Sequence, residues 1–179
     1  MKKHKSIVLF LLKFFITYFI FFAIYSSYLQ ETQQKKENFV CSPITERVAQ
    51  QTVYLLSFLG YSAYYIQHTE ELSMKIFIED RYVSRVIEGC NSFSILILFS
   101  AFIVAFSGPL KATILYVIFG GFVIYFINII RVASLTVLLY QYPNQQVFLH
   151  NLVFPAIIYG ATFFLWVLWV QQFSNYKKR

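Results

Sequence analysis

Charge is what this sequence has least of. Only 13% of its 179 residues are Asp, Glu, Lys or Arg and 58% are hydrophobic, whereas an ordinary soluble domain is about a quarter charged. So little charge cannot coat a globule of this size, which argues against a free cytosolic enzyme. The same balance excludes disorder, because low hydrophobicity and high charge density are what keep a chain unfolded. Acids are missing from every long apolar stretch: all eight fall between Glu31 and Glu88. No carboxylate is therefore available to relay ions through a membrane, which disfavours a small transporter. The two cysteines, Cys41 and Cys90, have no zinc-ligand spacing, and there is no glycine-rich phosphate loop or serine elbow. His68 with Glu70 and Glu71 offers too few well-spaced ligands for a metal. No metal or organic cofactor is implied, and there is neither an internal repeat nor a low-complexity tract.

What the sequence does hold is 21 Phe, 14 Tyr and long runs of Ile, Leu and Val, so the solvent for much of the chain is lipid. Its length suits one domain. The net charge of +7 raises the question of nucleic acid, but the positions of the charges answer it. Lys2, Lys3, Lys5 and Lys13 lie in the first residues, and Lys177, Lys178 and Arg179 in the last. Basic residues that flank apolar runs report membrane orientation and not a nucleic-acid partner.

Ile7 to Leu29 is long enough to cross a hydrocarbon core of about 30 Å, with Lys13 close enough to its basic end to snorkel back to the headgroups. It reads as a retained anchor, since Ser26-Ser27-Tyr28 is a poor signal-peptidase site. Asn91 to Ser107, Ala112 to about Tyr140, and Leu152 to Val170 are three further candidate crossings. Gly108-Pro109-Leu110-Lys111 reads as a tight cytoplasmic turn. Placing the basic clusters on one side predicts four crossings with both termini in the cytoplasm. The segment 30–89 and the loop Gln141 to His150 then lie outside. Val48 to Ile66 is predicted as an outer-surface or re-entrant helix starting near Ser42-Pro43, with Thr45 a candidate cap. Met74 to Ile78 and Tyr82 to Ile87, around Glu79-Asp80-Arg81, predict a β-hairpin.

The expected fold is thus an all-α polytopic membrane protein, with about four transmembrane helices, an extracytoplasmic helix and a short β-hairpin. It forms a single membrane domain over 1–179: an N-terminal anchor (1–29), an extracytoplasmic or re-entrant segment with the hairpin at 74–87 (30–89), a helical core (90–173) and a cytoplasmic basic tail (174–179).

Three reactive or charged groups stand at the edges of apolar segments, where they are costly and need a reason. Cys90 begins the second crossing at its outer end. Arg131 lies about 30 Å up the third crossing from Lys111, and His150 opens the fourth. All three are expected at the same outer boundary. A thiolate is favoured at a helix N-terminus and beside a guanidinium. Histidine can take the thiol proton and pass it to an amine, and arginine can hold a developing oxyanion or a carboxylate. Together they suit cysteine acyl transfer, and Gly89 leaves room for a substrate backbone. Taken singly, each has a plainer role. Cys90 can be a packed residue or half of a structural disulfide with Cys41, His150 an interfacial polar group, and Arg131 a partner of lipid phosphate or Glu88. A non-enzymatic membrane scaffold or assembly subunit for surface export, with a Cys41–Cys90 disulfide, therefore stays open. Gly120-Gly121 suggests a close helix contact, and Trp166 and Trp169 suggest an interface belt.

Val86-Ile87-Glu88-Gly89-Cys90-Asn91-Ser92 at the start of a crossing, Asn128-Ile129-Ile130-Arg131-Val132 within the next, and His150 at the last resemble the exosortase/archaeosortase family of membrane-embedded cysteine transpeptidases. The likeness covers about eighty residues, roughly Tyr82 to Gly160, and the chain's brevity resembles the small exosortase F type. The resemblance implies that Cys90 is the nucleophile, Arg131 the cation for the transition state or substrate, and His150 the proton shuttle. Glu88, Asn91 and Asn128, polar residues of the same motifs, are the candidate substrate-binding groups. The implied setting is the bacterial inner membrane, with the active site on its extracytoplasmic face. The implied substrates are exported proteins ending in a short motif, an apolar helix and a basic tail, which are cut and transferred to a surface acceptor. Membrane lipid, and a further membrane protein for substrate recognition, are the other implied partners. The family's usual glycine two places after the cysteine is Ser92 here.

Overall fold

The computed structural model describes residues 2–34, 39–106 and 108–173, with the side chains of residues 2–5 left out. The basic tail 174–179 lies outside the described residues, as do Ser107 and residues 35–38. The protein is mostly helical. Helix α1 (Lys2–Thr32) leads to α2 (Pro43–Phe58), then to strands β1 (Ala63–Gln67), β2 (Ser73–Ile78) and β3 (Arg81–Ile87). A 3-10 turn (Glu88–Cys90) delivers the chain to α3 (Phe93–Ala105), and α4 (Leu110–Gln141) follows. The last run comprises a 3-10 turn (Pro143–Gln145), a single α-turn α5 (Gln146–Phe148), a π-helical turn (Leu149–Val153) and α6 (Phe154–Gln172).

Among the described residues, three helical stretches are long and apolar enough to cross a membrane: Ser6–Thr32, Leu110–Gln141 and Pro143–Gln172. The expected second crossing is shorter. Helix α3 has 13 residues, about 20 Å at 1.5 Å per residue, against about 30 Å of hydrocarbon. It lies against α1, α4 and α6. Ile95, Phe99 and Ile103 of α3 meet Ile124 of α4 and Ile158, Leu165 and Trp169 of α6 in one buried cluster. Gly120 is what lets α4 approach so closely, since a Cβ there would overlap the Phe99 ring. Gly120→Ala is expected to cost about 1–3 kcal/mol through overpacking, read as a lower unfolding temperature in detergent. The second change Phe99→Leu should recover most of it.

The sequence expectation fails in three places outside the bundle. The helix expected to run to Ile66 ends at Phe58, because Gly60 adopts φ +91°. Gly60 N–H then donates to Ser57 C=O at 3.0 Å and Tyr61 N–H to Leu56 C=O at 3.1 Å. This pattern of a left-handed glycine and two reversed bonds closes helices. The helix is capped by Ser42 and not Thr45, with Pro43 in the first turn. The released chain, Ala63–Gln67, pairs with β2, so the expected hairpin is a three-stranded antiparallel sheet in the order β1-β2-β3. Its β2–β3 tip is as expected: Glu79 and Asp80 both have positive φ, as a two-residue turn matching the strand twist requires. Finally, the loop expected from Gln141 to His150 is mostly helical. Pro143 suits a first helical turn, so only Tyr142 separates α4 from the run beginning at Pro143.

One face of the sheet packs under α2 and against the C-terminal half of α4. Met74, Ile76 and Val86 share a buried cluster with Val48, Ala49 and Leu56 of α2 and Ile129, Val132 and Ala133 of α4. Two polar ties fix the height of the sheet on α4: the Ser84 and Thr136 hydroxyls at 2.8 Å, and Tyr140 Oη donating to Glu79 Oε2 at 2.6 Å.

Candidate active site

The turn carrying Cys90 lies between β3 and α3, facing α4. Cys90 is 7% exposed and lines a cavity of about 440 Å³ that Pro143, Gln146 and His150 also line. The remaining wall is β3, from Tyr82 to Arg85 and Ile87, with Leu135 and Leu139 of α4. Alternate residues of a strand normally face opposite sides. Four consecutive ones line this cavity because the β2–β3 register slips between Ile76 and Phe77, and such a bulge re-aims side chains. His150 stands on the π-turn, a helical irregularity common where a side chain must be displayed for function.

Cys90 and His150 therefore share one cavity, whereas the third expected member, Arg131, does not line it and is linked to Cys90 through Asn128. Arg131 is 9% exposed. Its Nη1 donates to Asn128 Oδ1 at 3.2 Å, and Asn128 Nδ2 donates to the Cys90 carbonyl at 2.7 Å. Arg131 Nε is buried without a hydrogen-bond partner. Among the described residues the ion pair recorded is Arg85 with Glu71, at the surface, so the Arg131 charge has no acidic partner there. A buried, uncompensated guanidinium is costly and favours any negative charge that develops beside it. The cavity wall itself carries Arg85 and His150 and no acid.

The three candidate substrate-binding residues all have internal partners. Glu88 accepts from Ser42 N–H and Oγ, both at 3.0 Å, from Thr45 Oγ1 at 2.6 Å and from Asn91 Nδ2 at 3.1 Å. Asn91, 1% exposed, also donates to Tyr25 Oη at 2.7 Å and accepts from Phe93 N–H at 3.0 Å. Asn128 spans Arg131 and Cys90, as above. None of the three lines the cavity. Tyr25, Ser42 and Thr45 were not marked by the sequence as part of this region, and neither were the cavity residues Tyr82, Arg85 and Gln146. Ser42 and Thr45 read only as a helix start.

Ser92 has φ +64°, the left-handed region that favours glycine. The glycine usual at this place thus has a backbone reason, and Ser92 holds the same conformation while its Oγ donates to Asn91 C=O at 2.6 Å. Beside Cys90, a Cβ on Gly89 would meet Ile87 Cδ1 at 4.0 Å, an ordinary van der Waals contact. Cys41 shares a buried cluster with Cys90 but does not line the cavity. It is buried, its N–H donates to Gln67 Oε1 at 3.1 Å and its sulfur accepts from Gln67 Nε2 at 3.5 Å. Burial raises the Cys41 pKa above the usual thiol value, Gln67 opposes the rise, and Glu88 and Glu46 add to it. Both cysteines are free, so the disulfide of the scaffold reading is not formed.

A family model described as transmembrane exosortase matches residues 6–170. No curated protein and no solved structure matches the chain.

Proposed function

The chain belongs to the transmembrane exosortase family, and from that premise we propose that it is a cysteine transpeptidase or protease that cuts the C-terminal sorting signal of exported proteins. The observation that carries this reading is the shared cavity of Cys90 and His150, with the unpaired Arg131 tied to the Cys90 carbonyl through Asn128. In the proposed reaction Cys90 Sγ attacks the scissile carbonyl and His150 accepts the thiol proton. Arg131 stabilises the negative charge across a low-dielectric interior. Collapse of the tetrahedral intermediate breaks the C–N bond, and the proton on His150 goes to the leaving amine. The resulting thioacyl enzyme is released by an acceptor amine or by water.

Helix lengths support an outward-facing site in a four-crossing map. Lys5 to Tyr25 on α1 and Lys111 to Arg131 on α4 are each 20 residues, about 30 Å, and both paths end at the Cys90 turn. Because Cys90 bonds to Asn128, the chain from Cys90 to Leu110 covers the same depth in reverse, by α3 and its connector. With the basic clusters in the cytoplasm, these lengths support the proposed setting of the cavity at the outer boundary of a bacterial inner membrane. An apolar substrate tail would approach sideways through the lipid. The test is mass spectrometry of exported proteins from cells with and without this chain. Uncleaved apolar tails should accumulate without it, and an unchanged exported proteome would contradict the reading.

A further inference from the structure

The Cys90 turn is short, and its backbone is gripped from three sides. Glu88, two residues before the thiol, is fixed by Ser42 and Thr45 at the start of α2. That carboxylate sits at the N-terminus of α2, where the helix dipole also favours negative charge. Asn91, one residue after the thiol, joins the same group through Thr45 Oγ1 at 3.2 Å and Glu88 Oε2, and reaches across to Tyr25 Oη on α1. From the opposite side Asn128 of α4 holds the Cys90 carbonyl. Ser42, Thr45, Asn91 and Asn128 are all buried, where a lost hydrogen bond costs most.

We infer that Glu88, Asn91, Thr45 and Tyr25 are positioning residues, which hold the Cys90 thiol against the cavity by clamping the residues on either side of it to α1 and α2. Their side chains spend their hydrogen-bonding capacity on one another, and they stand outside the cavity wall. The sequence motif around Cys90 is then a device for placing sulfur, and substrate contacts fall to the β3 wall and the π-turn. The clamp also joins the membrane anchor to the nucleophile, since Tyr25 lies well within α1.

This inference rests on the proposed function for its meaning but not for its test. The test is the rate at which iodoacetamide alkylates Cys90 in the full chain in lipid nanodiscs. Peptide mass spectrometry distinguishes Cys90 from Cys41, and thermal unfolding is followed alongside. Thr45→Val removes the hydroxyl with little change of shape, and Thr45→Ser keeps it. Thr45→Val and Tyr25→Phe should each change the Cys90 rate at least threefold at a temperature where the unfolding curves show every variant folded, while Thr45→Ser stays at the wild-type rate. Two results would overturn the inference: a wild-type rate in Thr45→Val, or an equal change in Thr45→Ser. Should deletion of the chain leave sorting-signal cleavage intact while the alkylation pattern holds, the proposed function fails and the clamp stands.

Discussion

Cys90→Ala is expected to abolish sorting-signal processing, with a fall on the order of 10⁴-fold or more, as when the nucleophile of a catalytic group is removed. Folding should survive. The hydrogen bond that Cys90 makes with Asn128 uses its backbone carbonyl, which alanine keeps. The side chain belongs to the buried cluster under the sheet but also borders an existing cavity, and the truncation removes a single sulfur, so it leaves no large new void. Chain levels in the membrane should therefore match wild type while uncleaved substrate accumulates. Quantifying both by mass spectrometry separates loss of chemistry from loss of protein. Normal processing by the Cys90→Ala protein would remove the nucleophile from the mechanism.

The second large effect belongs to His150→Gln. Glutamine has nearly the size of histidine and keeps a donor and an acceptor, but it cannot take a proton near neutral pH. General acid–base catalysis contributes about 10²- to 10⁴-fold, and a loss in that range is expected in the single-turnover rate of cleavage. Alkylation of Cys90 by a small reagent should continue, because its access to the cavity is unchanged. Activity of His150→Gln within about threefold of wild type would reassign His150 to the plain role of an interfacial polar residue. It would also leave the thiol proton without an acceptor on the cavity wall, where Arg85 stays protonated and Tyr82 presents a neutral phenol.

Helix length was the most legible feature of this chain. The distance from Lys111 to Arg131 can be counted along an apolar run, and so can that from Lys5 to Tyr25, because helical rise is constant. Apolar patterning likewise gave the long helices and the β2–β3 turn. The departures come from local backbone signals that a hydropathy reading smooths over. Gly60 stops α2 by taking a left-handed conformation, so that Tyr64, Tyr65 and Ile66 fall into a strand where their β propensity is used. Pro143 starts a helix where Tyr142-Pro143-Asn144 suggested a loop, and thereby moves His150 onto a π-turn. Least legible was the clamp, whose long-range bonds join residues 43 to 66 positions apart, such as Thr45 with Glu88 and Tyr25 with Asn91. Nothing in local spacing distinguishes Tyr25 from the other tyrosines of α1. Only the packing of α1 on α3 puts its hydroxyl beside Asn91.

The central claim is that Cys90, with His150 across the cavity and Arg131 behind it, forms a covalent bond to a substrate carbonyl. The most direct measurement is to incubate the chain in lipid nanodiscs with a peptide bearing a sorting signal, quench with acid, and examine the Cys90 peptide by mass spectrometry. The account predicts an acyl adduct on Cys90 with the mass of the fragment N-terminal to the cut, lost on treatment with hydroxylamine and absent from the Cys90→Ala protein. Cleaved product forming at the same rate in the Cys90→Ala protein, with no adduct in wild type at any time, would contradict it.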